Sequence, residues 1–310
     1  MATPDDAGVF IDRRTARSLG VPVQDLLSSK YTKVFFDCYV PANTNLTQTL
    51  IVQAALFCAP DAIAASHYSA AQLWGGIAPR TSDVHLAVAS DLRSKRRGIR
   101  THRYDQRPRV VERSGVPTTT PEQTFLDLGA CLDLVDLVIL GDSLIKKRRT
   151  TIAELRSTAR AGTGRGAKNA CRAAAWVRDN VDSPNETRLR LLLILAGFPE
   201  PVVNLALRDA DGEILRRLDL AYERPKLAIE YDGRHHIDRR DQWQRDLLRR
   251  EELEGHGWRF VVITSDDLYS HPDRLLTRVA AAMRAQGMPV PRPSSRWRTY
   301  FSPVADRSVA

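Results

Sequence analysis

Glu213-Ile-Leu-Arg-Arg-Leu-Asp219-Leu-Ala-Tyr222, then Glu223-Arg-Pro-Lys226, then Leu227-Ala-Ile-Glu230-Tyr-Asp232-Gly233-Arg-His235-His236 reads as strand, loop and strand. Leu218, Leu220 and Tyr222 alternate with Arg217, Asp219 and Ala221; Leu227, Ile229 and Tyr231 alternate with Ala228, Glu230 and Asp232. Successive side chains of a strand point to opposite faces. The first set of each strand therefore makes an apolar face, and the second carries all three carboxylates. With residues 223–226 as the loop, Tyr222 faces Leu227, Asp219 falls opposite Glu230, and Arg217 falls opposite Asp232. Directly opposed residues have Cβ atoms ~4.5–5.5 Å apart, and like charges there are destabilising. Two acids so placed on a half-buried pair need compensation. A divalent cation is the economical candidate, because Mg²⁺ binds through one or two carboxylates and keeps several waters. A one-residue slip would send Glu230 to the other face, so everything depends on register.

The flanks build an α/β core around this hairpin. Ser183-Pro184-Asn185-Glu186 opens an apolar helix that stops at Gly197, with Ser as cap, Pro at the first position and Glu at the third. Glu186 is thus either a third acid for the site or a capping residue bonded to the Ser183 backbone N–H. Asp241 to Glu254 reads as a charged helix with Trp243 and Leu247 on one side and Asp246 and Arg250 at ion-pair spacing. Trp258 to Thr264 reads as a further strand.

Before residue 183 the signals are weaker. Asp12 to Leu19 is a helix stopped by Gly20, a second short helix starts at Val21-Pro22, and Lys33 to Pro41 reads as one strand. This order suits a winged-helix-like module over 1–45, or simply the outer part of a mixed domain. An α/β unit follows over 46–160. It has a helix from Tyr68 to Trp74 capped by Ser66 and stopped by Gly75, a strand at Val84–Val88, and capping boxes at Thr120–Gln123 and Thr151–Glu154. Gly162, Gly164 and Gly166 are not followed by Lys-Ser/Thr and do not follow a strand, so 161–182 reads as a flexible linker and helix rather than a phosphate loop. Arg93, Lys95, Arg96, Arg97, Arg100 and Arg103 crowd an acid-free run that is either a solvated hairpin or a phosphate-contacting ridge. Lys146 to Arg149 reads as cations at a helix end. The tail, 289–310, reads either as flexible or as a segment that wraps a partner.

The 310 residues favour more than one domain. Apolar residues at 43% and charged ones at 27% are globular values. A formal charge of +9 points to a polyanionic partner, with DNA as the expected one. The least polar stretch, Leu46 to Pro60, is too short and polar to cross a bilayer, and the acidic start of the chain is unlike a secretory signal. A cytoplasmic protein is expected. Cys38, Cys58, Cys131 and Cys171 are scattered without CxxC spacing and read as reduced core thiols.

Glu186, Asp219, Glu230 with Tyr231-Asp232-Gly233-x-x-His236, then Asp246, Arg249, Arg250 and Gly257-Trp258 resemble the PD-(D/E)XK nuclease superfold over about 183–270, in its very-short-patch-repair-like branch. Residues 10–180 more weakly resemble the actinobacterial AbiEi-type antitoxins of type IV toxin–antitoxin systems, through the N-terminal helices, Ser66-His67-Tyr68-Ser69-Ala70-Ala71 and the Pro117–Leu128 stretch. The resemblance implies a mixed α/β (α+β) chain with a restriction-endonuclease-like domain over 183–288. It implies Mg²⁺ or Mn²⁺ held by Asp219, Glu230 and Glu186. Typical members carry Lys two places after the second acid; here that place is Asp232. His236, with an unperturbed pKa near 6.5, is the alternative group for activating water, with Asp232 beside it. Arg249 and Arg250 become candidate phosphate contacts. Two functions lead, with a structural partner in a DNA-repair or defence complex as a weaker third. One is a metal-dependent DNA endonuclease with an N-terminal DNA-binding region. The other is an antitoxin-like regulator, partnered by a nucleotidyltransferase-type toxin, whose nuclease fold has lost catalysis. No small-molecule cofactor is indicated.

Overall fold

The computed structural model describes residues 10–89, 96–208, 211–232 and 250–301, in two compact units that divide between Val177 and Arg178. The first unit begins with α1 (Arg13–Ser18), whose N-terminal N–H groups are met by Asp12 accepting from Thr15 N at 2.6 Å, and α2 (Val23–Leu26). The expected single strand over 33–41 is two strands: β1 (Tyr31–Phe35) and β2 (Cys38–Pro41) pair antiparallel. Asp37 turns the chain between them at a φ of 54°, a region short polar side chains tolerate. Ile11, Ala16, Leu26 and Tyr39 seal helices and hairpin together.

There follow α3 (Gln48–Cys58), β3 (Ala62–Ala65), α4 (His67–Trp74), β4 (Val84–Val88), β5 (Ile99–Arg103), β6 (Val110–Arg113) and β7 (Val116–Thr119). Four helices close the unit: α5 (Pro121–Leu128), α6 (Leu134–Lys146), α7 (Ile152–Ala161) and α8 (Ala167–Trp176). The strands form one sheet in the order β5-β4-β3-β7-β6, with β4–β5 and β3–β7 parallel and the other pairs antiparallel. β4 is buried along its whole length. The Thr151–Glu154 capping box is complete: Thr151 Oγ1 accepts Glu154 N–H at 3.2 Å, and Glu154 Oε2 accepts Thr151 N–H at 2.8 Å. At Thr120 only half the expected box forms, because the Gln123 side chain turns away to Asp127.

Two expectations are corrected here. The glycine run is not a flexible spacer: a Cβ on Gly166 (φ 88°) would lie 2.3 Å from Ala130 N, so glycine is what lets the chain pass. Only Cys38 and Cys58 are core thiols; Cys131 and Cys171 are exposed.

The second unit runs α9 (Pro184–Leu195), β8 (Val202–Arg208), β9 (Ile214–Tyr222), β10 (Leu227–Asp232), α10 (helical residues 250–255), β11 (Arg259–Thr264), α11 (Ser265–Tyr269) and α12 (Pro272–Ala285). Its sheet order is β11-β10-β9-β8, with β10–β11 parallel and the other two pairs antiparallel. The sheet is not half-buried as its alternation suggested. Ala221 and Ala228 are as fully buried as Leu218, Leu220, Leu227 and Ile229, so both faces are covered. Leu253 and Trp258 pack on Leu218, Ala221 and Ala228. The tail is corrected too: Trp297 and Phe301 are buried, Ser294 N donates to Ala196 O at 2.9 Å, and Arg298 pairs with Asp273 at 2.6 Å. Residues 302–310 lie outside the described ones. Both units are mixed α/β, as expected. No helix among the described residues is long and apolar enough to cross a membrane.

Candidate active site

The hairpin pairs in the expected register: Leu227 with Tyr222, Ala228 with Ala221, Ile229 with Leu220. The backbone ladder stops there. At the next position Asp219 Oδ2, rather than a backbone carbonyl, accepts the Tyr231 N–H at 2.9 Å. A carboxylate acceptor makes this a charge-assisted bond, and it fixes the Asp219 side chain between the two strands. The other neighbour of β9 keeps one register past this level, from Val202–Ala221 to Leu207–Arg216, and shifts only between Leu207 and Arg208. Pairing runs Val203–Leu220 and Leu205–Leu218 but skips Asn204, which has a φ of 47°. Asn204 Nδ2 donates to Glu186 Oε2 at 3.2 Å, and the same oxygen accepts the Asp182 N–H at 2.9 Å. Ser183 caps the helix as expected, accepting Glu186 N–H at 3.2 Å. The return bond goes to Asp182 rather than to Ser183, so Glu186 ties the approach to α9 to β8.

Glu230 has a partner that the sequence reading did not supply. Arg216 Nη2 donates to its two oxygens at 2.8 and 2.7 Å, and Arg216 Nε reaches one of them at 3.2 Å. The repulsion expected between opposed acids is therefore relieved locally by a guanidinium. The sequence paired Arg217, not Arg216, with this row, because regular alternation sends Arg216 to the face of Leu218 and Leu220. The β8–β9 pairing shifts register between Leu207 and Arg208, next to the Leu207–Arg216 pair, and there the rule no longer holds. Phe260 supports the arrangement: the Arg216 and Arg250 guanidinia lie 5.4 and 5.1 Å from its ring centre.

Burial pushes all three carboxyl groups above their ordinary range. For Glu186, burial is opposed by the Asp182 N–H and reinforced by the charge of Asp219. For Asp219, burial is opposed by the Tyr231 N–H and by Arg216. For Glu230, burial is opposed by Arg216 and reinforced by Asp219. Asp219 thus acts on both other acids and sits at the electrostatic centre. Among the described residues no three His, Cys, Asp or Glu side chains converge as a ready-made metal cage. The donor set fits a hard, hydrated cation only in part. Asp219 keeps Oδ1 without a hydrogen bond among the described residues, whereas Glu230 can contribute only when Arg216 lets go.

The remaining predicted residues separate. Asp232 is exposed at the end of β10. Gly233, His235, His236, Asp246 and Arg249 lie outside the described residues, as do Arg93 and Lys95. Arg250 pairs with Glu254 at 2.9 Å. Arg96 donates to the Phe36 carbonyl, Arg97 is exposed, and Arg100 stands exposed on the edge strand β5.

The family model REase_MTES_1575 matches residues 212–283, the stretch from β9 into α12 that carries Arg216, Asp219 and Glu230. The C-terminal unit is restriction-endonuclease-like. Two proteins of Mycobacterium tuberculosis are similar over a longer stretch: uncharacterized protein MT2308 of strain CDC 1551 / Oshkosh and uncharacterized protein Rv2248 of strain ATCC 25618 / H37Rv. Each is 26% identical over 213 residues, covering 68% of this chain and 78% of the relative. The crystal structure of the RV2827C protein, also from M. tuberculosis, aligns with a TM-score of 0.39 at 12% identity, covering 66% of this chain and 85% of that one.

Proposed function

We propose that the chain is a metal-dependent DNA endonuclease that hydrolyses phosphodiester bonds at the acid pocket of its second unit. The observation that carries this reading is Asp219. It is a half-buried carboxylate fixed by the Tyr231 N–H, coupled to the half-buried Glu230 and the buried Glu186, and placed in the segment that matches a nuclease-like family model. Asp219 and Glu186 would hold Mg²⁺ or Mn²⁺, joined by Glu230 once Arg216 is released. The bound cation would polarise the scissile phosphate and neutralise developing charge. Asp219 orients the pocket through its bond to Tyr231, and Arg216 is at hand to meet a phosphate oxygen when it leaves Glu230. His236, or Asp232, is the group assigned to the attacking water. The net positive charge, the two-helix-and-hairpin module as a winged-helix-like element, and Arg97 and Arg100 support an N-terminal DNA-binding role in the cytoplasm. The decisive experiment compares wild type with Asp219→Ala on supercoiled plasmid in Mg²⁺ and in Mn²⁺. Nicking by wild type alone is expected; equal nicking by both proteins, or none by either, would remove catalysis from this pocket.

One observation favours a second reading. Arg216 already neutralises Glu230, and Asp232 stands where the usual lysine would be. An AbiEi-like regulator with an inactive nuclease fold would show this arrangement. It would bind its own promoter without cutting it, beside a nucleotidyltransferase-type toxin.

A further inference from the structure

The first unit buries a titratable cluster that the nuclease reading leaves unused. His85 Nδ1 and His102 Nε2 share a hydrogen bond at 2.9 Å, and the His102 ring stacks on His67 with centres 3.6 Å apart and planes 16° from parallel. His67 Nδ1 lies 3.1 Å from Ser66 Oγ and 4.0 Å from Asp127 Oδ2. Asp127 in turn accepts from the Tyr104 hydroxyl, and from Gln123 Nε2 at 2.8 Å. His67 holds a φ of 48°, uncommon for such a side chain, so the fold spends backbone energy to aim this ring. Burial keeps all three imidazoles neutral, with His67 pushed down to about 2 and His85 and His102 to about 4. A packed core would be served better by apolar residues of this size.

These groups line one wall of an open cavity of about 1410 Å³. Its rim has the opposite character. Arg100, Arg103, Arg107, Arg109 and Arg165 line it together with the carboxylates Asp105 and Glu122. Among the described residues Arg100, Arg107, Arg109 and Arg165 are exposed and join no ion pair. Guanidinia are suited to phosphate oxygens by their planar fork of donors. The inner wall supplies what a bare anion does not need: stacked rings, the half-buried Tyr68, and neutral imidazoles of which His67 Nε2 and His102 Nδ1 keep a hydrogen-bonding site without a partner among the described residues, while both His85 nitrogens are already engaged by His102 and Thr81. The volume also exceeds the ~300–1,000 Å³ of ordinary small-ligand clefts, which is more than a lone phosphate ion requires.

We propose that this cavity is a second ligand site, independent of the acid pocket, that takes a nucleoside phosphate, with the phosphate on the arginine rim and the base against the histidine–tyrosine wall. The ligand is either a free nucleotide or the phosphorylated end of a strand.

Calorimetric titration of the full chain in EDTA, with inorganic phosphate, adenosine monophosphate and a 5′-phosphorylated tetranucleotide, tests this. The nucleotide is expected to bind at least tenfold more tightly than inorganic phosphate. Arg109→Gln/Arg165→Gln, which alters only exposed side chains, is expected to weaken it at least tenfold at an unchanged melting temperature. Glu230→Gln, in the other unit, is expected to leave binding as it is. A tetranucleotide tighter than the mononucleotide identifies a strand end; equal or weaker binding identifies the free nucleotide. Three results would each overturn the proposal: no heat with any probe, equal affinity for phosphate and nucleotide, or a folded double variant that binds like wild type.

Discussion

Asp219, Glu230 and Glu186 lie in the second unit as carboxyl groups whose ionisation is opposed by burial. His67, His85 and His102 lie in the first as imidazoles that burial keeps uncharged. The two regions differ in how the cost of burial is met. In the acid pocket it is met by countercharge and N–H donors, from Arg216, the Tyr231 N–H and the Asp182 N–H. In the histidine cavity it is avoided, because the groups surrender their charge and bond to each other. A site that keeps its charges is poised for cations and phosphoryl chemistry. A site that gives them up is suited to reading uncharged polar edges, with the charge work left to its exposed arginines.

The largest effect that would break this contrast is on catalysis. Asp219→Asn keeps an acceptor for Tyr231 N–H but removes the central charge, and plasmid nicking is expected to fall on the order of 10²–10³-fold. Unchanged nicking would mean that the charge, and hence the contrast, is irrelevant to activity.

The next effect is on pH. The three histidines have folded-state values below the unfolded 6.5, so the unfolded chain binds protons that the folded one refuses. Their contribution to stability is complete above 6.5 and is lost as pH falls through about 4, and further towards 2 for His67. Asp127 is pushed up by burial to about 6 and has the opposite sign, its contribution being lost as pH rises through that value. Arg100 works in the histidines' direction, and Asp83 opposes it at His85. Three groups against one leave a net loss on acidification, on the order of 2–3 kcal/mol per pH unit around pH 5. Hydrogen exchange at the amides of β4 and β5, corrected for its intrinsic pH dependence, should show that loss, and His102→Gln should flatten it.

A smaller effect sharpens the role of Arg216. Arg216→Gln leaves Glu230 buried without its countercharge. Both side chains are still partly exposed, at 20% and 15%, so the cost is expected near the lower end of the ~3–5 kcal/mol for breaking a buried pair. Urea denaturation measures it, and Arg216→Gln/Glu230→Gln should recover much of the loss. If Glu230 is a metal ligand, millimolar Mg²⁺ should raise the melting temperature of Arg216→Gln more than that of wild type. The smallest effect is a control away from both sites: Thr151→Ala removes a complete capping box and should cost about 1 kcal/mol, with neither cleavage nor nucleotide binding changed.

The sequence by itself determined the local and near-neighbour features. Alternation over 214–232, with its four-residue loop, fixed the register that brings Asp219 beside β10, because a strand pair joined by a short loop has only two plausible alignments and one exposes its apolar face. Capping chemistry at Ser183 and Thr151 was legible for the same reason: partners three residues apart meet in any helix. Tertiary structure alone decided the rest. Arg216 reaches Glu230 beside the point where the β8–β9 pairing shifts register, between Leu207 and Arg208, and such a shift belongs to two strands together, so no alternation pattern encodes it. Both faces of the nuclease-like sheet are covered, which small residues such as Ala221 and Ala228 disclose only once a helix is known to pack on them. His67, His85 and Asp127 stand on α4, β4 and α5, and His102 and Tyr104 on and just after β5, and only the assembled sheet with α4 and α5 gathers them. Periodicity is a property of one element, whereas a cavity is a property of several, so the first can be read along the chain and the second cannot.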